Sequence, residues 1–169
     1  MSCNPSHPMT FARPRLSVLT MALALCGISL SNSTMAKTVS VASPDKQIIV
    51  SLSDDNQRPE YRVSFHDKVV IQESKLGLVF QSLGEFGHDF KISEIKRTQV
   101  DSQWQQPWGE REWVVDKHNG LTATLSNGQY QFLIDIKAFD DGIGFRYELP
   151  TSGNRIITRE LTEFNLVDS

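Results

Sequence analysis

Beyond residue 36 the chain is a succession of short stretches in which apolar and polar residues alternate, separated by turn formers, with no sustained helical period. "KQIIVSLS" sets Ile48, Val50 and Leu52 on one face, and "SDDNQRP" follows as a turn cluster. "EYRVSFHDKVVIQES" places Tyr61, Val63 and Phe65 on one side, turns at His66-Asp67-Lys68 and returns through Val69 to Ile71, which predicts a hairpin. "SKLGLVFQSLGEFGHDFKI", rich in Gly and apolar residues, predicts a strand and then an irregular loop. "ISEIKRTQVDSQW" fits a polar strand and a connection equally well. The strongest signal is "LTATLSNGQYQFLIDIKAF". Leu121, Ala123 and Leu125 lead in on one face and Phe132, Ile134 and Ile136 lead out. Between them Asn127-Gly128 predicts a type I′ turn with positive φ at both central positions. "DDGIGFRYEL" predicts a turn and a strand showing Phe145, Tyr147 and Leu149 to one side, and "RIITRELTEFNL" a further strand and a capping-like stretch. About ten strands with turns every 8–12 residues predict an all-β fold, an antiparallel β-sandwich.

The first 36 residues have a different pattern. Arg13 and Arg15 form a basic start, "LSVLTMALALCGISL" (16–30) is an uncharged apolar run, and Thr34 and Ala36 are small residues where a signal peptidase reads them. The run is short for a bilayer span. Residues 1–36 are therefore expected to be a Sec-type signal peptide and 37–169 a single domain, exported to the periplasm with no membrane attachment after cleavage. A lipoprotein signal at Cys26 is disfavoured because Leu25 stands where a small residue is needed.

Composition narrows the chemistry. Cys3 and Cys26 are the only cysteines and both lie in the leader, so zinc-finger, thiol-catalysis and iron–sulfur readings are excluded for residues 37–169. The formal net charge is −3, and loss of Arg13 and Arg15 makes the remainder more acidic. No basic stripe is present, which speaks against nucleic acid as a partner.

Candidate reactive groups are few. "WQQPWGEREW" holds all three tryptophans, Trp104, Trp108 and Trp113, with Glu110 and Glu112 beside Arg111. Glycosidases set two carboxyls on opposite sides of the scissile bond. Glu110 and Glu112 are two apart and would leave a strand from the same face, so solvated strand carboxylates fit better. Asp140-Asp141 before Gly142 is expected to satisfy a turn's backbone, with Gly142 supplying an unusual φ, rather than to bind a metal. His66, His88 and His118 lack metal-ligand spacing; His66 and His118 are expected in solvated turns, the latter at Asn119-Gly120. Trp104 and Trp108 share a parity that Trp113 does not, and Pro107 to Gly109 predicts a bend. A sugar-facing surface, a domain contact and plain core packing all fit that segment.

The order of segments resembles the N-terminal domain of glycoside hydrolase family 97. "SPDKQIIVSLS", "YRVSFHDKVVIQESKLGLVF", "WQQPWGEREWVVDKHNGLTATL" and "FDDGIGFRYELP" carry the resemblance from about Ser43 onward, "W-x-x-P-W-G-E" and "D-D-G-I-G-F-R-Y" being its specific parts. The resemblance implies a galactose-mutarotase-like β-supersandwich, partly present here, followed by a (β/α)8 barrel that holds the acid/base pair of an exported α-glucosidase or α-galactosidase. It implies a calcium ion near the α-linked oligosaccharide, bound by glutamates beyond these residues. No catalytic or metal-binding position carries over. Trp108 and Glu110 are the candidates for a substrate-proximal or domain-facing surface toward a barrel in cis, and these 169 residues alone are expected to be inactive. The last residues, "EFNLVDS", fit a chain cut from a longer one and also a natural terminus. The competing reading is a free-standing exported carbohydrate-binding sandwich with Trp108 as its stacking platform.

Overall fold

The computed structural model describes residues 36–55, 58–109, 112–150 and 153–168. The expected signal peptide therefore lies almost wholly outside the described residues. Eleven strands and no α-helix are found among them: β1 (Thr38–Ala42), β2 (Ile48–Ser53), β3 (Glu60–Phe65), β4 (Lys68–Lys75), β5 (Leu78–Phe80), β6 (Gly84–Phe86), β7 (Lys91–Gln105), β8 (Trp113–Ser126), β9 (Gln131–Ala138), β10 (Ile143–Glu148) and β11 (Ile157–Glu160). Every pairing is antiparallel, in sheets of order β1-β2-β3-β4, β10-β9-β8-β7 and β11-β5-β6.

The two four-stranded sheets pack face to face. Val39, Val41, Ile48, Val50, Leu52, Tyr61 and Val63 of the first meet Leu121, Ala123, Leu125, Phe132, Ile134 and Ile136 of the second, all buried. The predicted alternation is thus the alternation observed, because a strand turns every second side chain to the same face. The small sheet closes one end with Phe80, Phe86 and the adjoining Phe90, whose rings continue to Phe132 at 5.0 Å from Phe90. Burying each such side chain is worth about 1.5–3 kcal/mol against leaving it wet.

Three local expectations are corrected. The tight turn with positive φ at both central residues lies at His66 (47°) and Asp67 (61°), between paired Phe65 and Lys68. At Asn127-Gly128 only Gly128 has positive φ (87°), and the loop spans the four residues between paired Ser126 and Gln131. The reason is the Asn127 carboxamide, whose oxygen accepts from the backbone N–H groups of Gln129 (3.1 Å) and Tyr130 (2.8 Å) and so does the work of a backbone acceptor. Gly142 is not in the left-handed region; the β9–β10 loop closes through the Phe139 N–H to the Gly142 carbonyl at 2.8 Å. The Asp140 carboxylate does satisfy a turn, but that of the facing sheet, accepting from the Asp45 N–H at 2.8 Å.

The last segment is laced along β4. Glu163 N–H donates to the Lys75 carbonyl, Gln72 N–H to the Asn165 carbonyl, and the Tyr61 hydroxyl to the Glu163 carbonyl at 2.9 Å. The Lys75 N–H in turn donates to the Glu163 carboxylate, which holds that acid below its ordinary 4.5. The Ser43 hydroxyl and Gln47 N–H do the same for Asp45, whose ordinary value is 3.8. A carboxyl with a lowered folded pKa binds fewer protons folded than unfolded, so its contribution is present above the unfolded value and lost as pH falls through the folded one. The melting temperature is expected to fall as pH drops below 4.5, and a D45N/E163Q double variant to show a shallower fall over the same range, read by calorimetry.

Candidate functional site

The segment that fitted both a strand and a connection is β7, which runs with β8 as one long hairpin in register from Lys91↔Ser126 to Gln105↔Trp113. Its inner half carries Ile92, Leu121, Ala123 and Leu125 into the core. The outer half, residues 99–105 and 113–117, extends past that core and is covered much less. Two hydrogen bonds brace its far end: the Gln106 N–H to the Glu112 carbonyl at 2.8 Å and the Gln105 side-chain amide to the Glu112 carboxylate at 2.7 Å.

Beyond them comes the predicted bend, with Gly109 at φ 117°, a left-handed conformation that favours glycine. Trp108 sits in it, 80% exposed, which removes core packing as its role. Glu110 lies outside the described residues. Directly paired residues share a face, so Trp104 goes with Val114 and Trp113 with Gln105, and the register between the two strands sets the two rings on opposite faces. Both are about half-exposed. The Glu112 carboxylate lies in the open, tied to the neutral amide of Gln105.

On the Trp113 face the hairpin meets the other motif. Trp113, Val115 and Lys117 line a cleft of about 370 Å³ together with Phe139, Asp140 and Asp141 of the β9–β10 turn. Sequence reasoning missed this meeting, because it depends on the register between β8 and β9. Continuing the β8–β9 register outward from Ser126↔Gln131 and Asn119↔Ala138 brings Asp140 opposite Lys117. A larger hollow of about 570 Å³ lies where β1 and the β1–β2 turn approach β7 and β8. Arg97 and Asn119 already cross it to the carbonyls of Ser40 and Ala42, at 2.6 and 2.8 Å.

His118 corrects another expectation. Asn119-Gly120 is mid-strand rather than a turn, and His118 is 2% exposed, bonded through Nδ1 to Asp116 and packed on Phe139 at 4.9 Å. Gly120 gives room there: a Cβ would meet the Thr98 hydroxyl on the paired strand, which would have to turn aside. His66 is in its turn, as expected, with its ring on Phe65, and His88 lies in the open beside Asp89. Among the described residues no group of three or more His, Cys, Asp or Glu converges as the ligands of a metal ion would.

The family model for the glycosyl hydrolase 97 N-terminal domain matches residues 41–169, a span that takes in both motifs and the cleft between them. The chain belongs to glycoside hydrolase family 97. Solved structures agree. A family 97 enzyme from Pseudoalteromonas sp. strain K8, as a variant in complex with panose, is 43% identical with a TM-score of 0.72, covering 76% of this chain and 20% of its own. The same enzyme in complex with acarbose gives the same figures. A β-arabinopyranosidase is 27% identical, with a TM-score of 0.70 over 76% of this chain and 21% of its own. The chain thus spans about a fifth of the length of these solved structures.

For a family 97 N-terminal domain the geometry has a plain chemical meaning. The described residues present an aromatic hairpin and a mixed cleft on a stiff sandwich.

Proposed function

We propose that these residues form the N-terminal sandwich of an exported, periplasmic α-glycosidase that hydrolyses α-glucosides or α-galactosides. Its acid/base pair would belong to a (β/α)8 barrel in cis, in the length by which the solved family 97 enzymes exceed this chain. Residues 1–36 would be the Sec-type signal, and no helix among the described residues is long and apolar enough to cross a membrane. Calcium, where the whole enzyme uses it, would be held by glutamates outside this chain. The observation that carries the reading is the braced hairpin with Trp108 exposed at its tip. An aromatic ring held out on a fixed frame is what a contact with a second domain requires, since little order is lost when it docks. Trp108 and Glu110 would face the barrel and complete its substrate side.

The 169-residue chain alone is expected to release no nitrophenol from aryl α-glucosides above a mock preparation. In a protein that also carries the barrel, Trp108→Ala is expected to lower kcat/KM roughly tenfold or more, the scale of one lost aromatic contact, with the sandwich melting unchanged. Turnover by the chain alone, or a Trp108→Ala effect confined to sandwich melting, would overturn the proposal. The exposure of Trp108 also favours a second reading, a free-standing carbohydrate-binding sandwich. Quenching of tryptophan fluorescence by maltose that is lost in Trp108→Ala would support that one instead.

A further inference from the structure

We propose that the cleft between the outer half of β8 and the β9–β10 turn is a binding site for an α-linked gluco-oligosaccharide, with Trp113 as its platform and Lys117, Asp140 and Asp141 as its polar contacts. The α-gluco assignment rests on the function proposed above; the sugar class rests on the cleft itself.

Four observations point there. First, Trp113 and Val115 leave 52% and 62% of their surfaces open in the cleft, an apolar floor with nothing described upon it. Second, the polar groups around that floor are unspent. The side chains of Lys117 and Asp141 make no hydrogen bond or ion pair among the described residues, and only one Asp140 oxygen is engaged, by the Asp45 N–H. Third, the frame is tied at several points. Asp140 is tied to the facing sheet, Phe139 lies against the buried His118 ring, and Trp113 is in ladder register with Gln105. A site on fixed strands keeps its geometry when empty, so binding orders little. Fourth, about 370 Å³ is within the range of small-molecule sites.

The chemistry narrows the ligand. A purely apolar molecule would cover the indole but leave an ammonium and two carboxylates desolvated and unpaired, which is costly. A phosphate or other anion would meet Asp140 and Asp141. A pyranose avoids both faults, with a C–H face to lie on the indole and a rim of neutral hydroxyls. Those hydroxyls can donate to the carboxylates and accept from Lys117, and bonds to charged partners are the stronger kind. Trp108, at the far end of the hairpin, is not among the residues that line the cleft.

The test is a titration of the full chain bearing Trp104→Phe and Trp108→Phe, which leaves Trp113 as its one indole reporter. Maltotriose is expected to give a saturable fluorescence change with half-saturation on the order of 1 mM, and cellotriose a much weaker one. By calorimetry on the otherwise unaltered chain, Trp113→Ala should weaken maltotriose at least roughly tenfold, the scale of one lost aromatic face. Trp113→Phe should restore most of that loss. Asp141→Asn and Lys117→Met should each weaken binding by roughly three- to tenfold. No saturation at roughly ten times the expected midpoint, or unchanged binding by Trp113→Ala, overturns the site. Equal binding of cellotriose overturns the α-linked assignment. A barrel-bearing protein that cleaves α-glucosides while the titration is blank sinks this site and spares the function; one that leaves them uncut while maltotriose binds does the reverse.

Discussion

Phe132→Ala is expected to lower the unfolding free energy of the sandwich by about 4 kcal/mol, near the upper end for large-to-small core changes. The ring is 1% exposed and touches three parts of the fold at once. Phe90 lies 5.0 Å from it, Phe86 of the small sheet 6.0 Å and Tyr147 of β10 6.1 Å. Truncation removes apolar area and leaves a void bounded by three strands and the loop after β6, which cannot all move in together. Urea denaturation should show a lower midpoint with an unchanged slope. A loss below about 1 kcal/mol would mean that Phe86 and Phe90 collapse into the space, and that the aromatic cluster is looser than its distances indicate.

Asp54→Ala is expected to cost about 3 kcal/mol for a different reason. The Asp54 side chain is nearly fully buried, between the end of β2 and the start of β7. Its two oxygens accept from the backbone N–H groups of Lys37 (2.8 Å) and Ile92 (2.9 Å). The Lys91 ammonium stands 3.8 Å from the carboxylate and donates to the Asp54 carbonyl at 2.6 Å. Alanine would leave both N–H groups without their acceptor, and unmade buried bonds cost more than made ones give. Asp54→Asn keeps the shape and one acceptor but turns an amide N–H toward a backbone N–H, so it should recover only about half of the loss. Equal urea midpoints for wild type and Asp54→Ala would show that water replaces the carboxylate there.

Asp54 also shows where reading residues in order stops. In the chain it is one letter of a turn cluster, indistinguishable from Asp55. Burial and two backbone donors 17 and 38 residues away separate it from its neighbour. Strands that border the core were legible for the opposite reason. Ile48, Val50 and Leu52, or Phe132, Ile134 and Ile136, announce themselves because one face is dry and the period is two. The outer half of β7 has no core beneath it, so its residues carry no such contrast and a strand was only one of two readings. His118 was misplaced because Asn-Gly is a turn pair in general. Here the glycine lies mid-strand against the Thr98 hydroxyl on the paired strand, a neighbour the local sequence does not contain.

The candidate site divides along the same line. That Trp104 and Trp113 face opposite ways depends on the β7–β8 register, whereas that "WQQPWGEREW" bends at Pro107 to Gly109 follows from residue type. That Trp113 shares a cleft with Asp140 and Asp141 does not.

Sequence by itself determined the all-β antiparallel class, the inward faces of the central strands, the bend among the tryptophans and the family. Each is a matter of local period, local backbone preference or ordered motifs along one chain. Tertiary structure alone decided which pairs make which turns, that the hairpin outruns its core, that His118 and Asp54 are buried, and that two motifs 27 residues apart, at Trp113 and Asp140, come together. Those outcomes depend on register between strands and on what covers each face, and a side chain's burial is a property of its neighbours rather than of its own position.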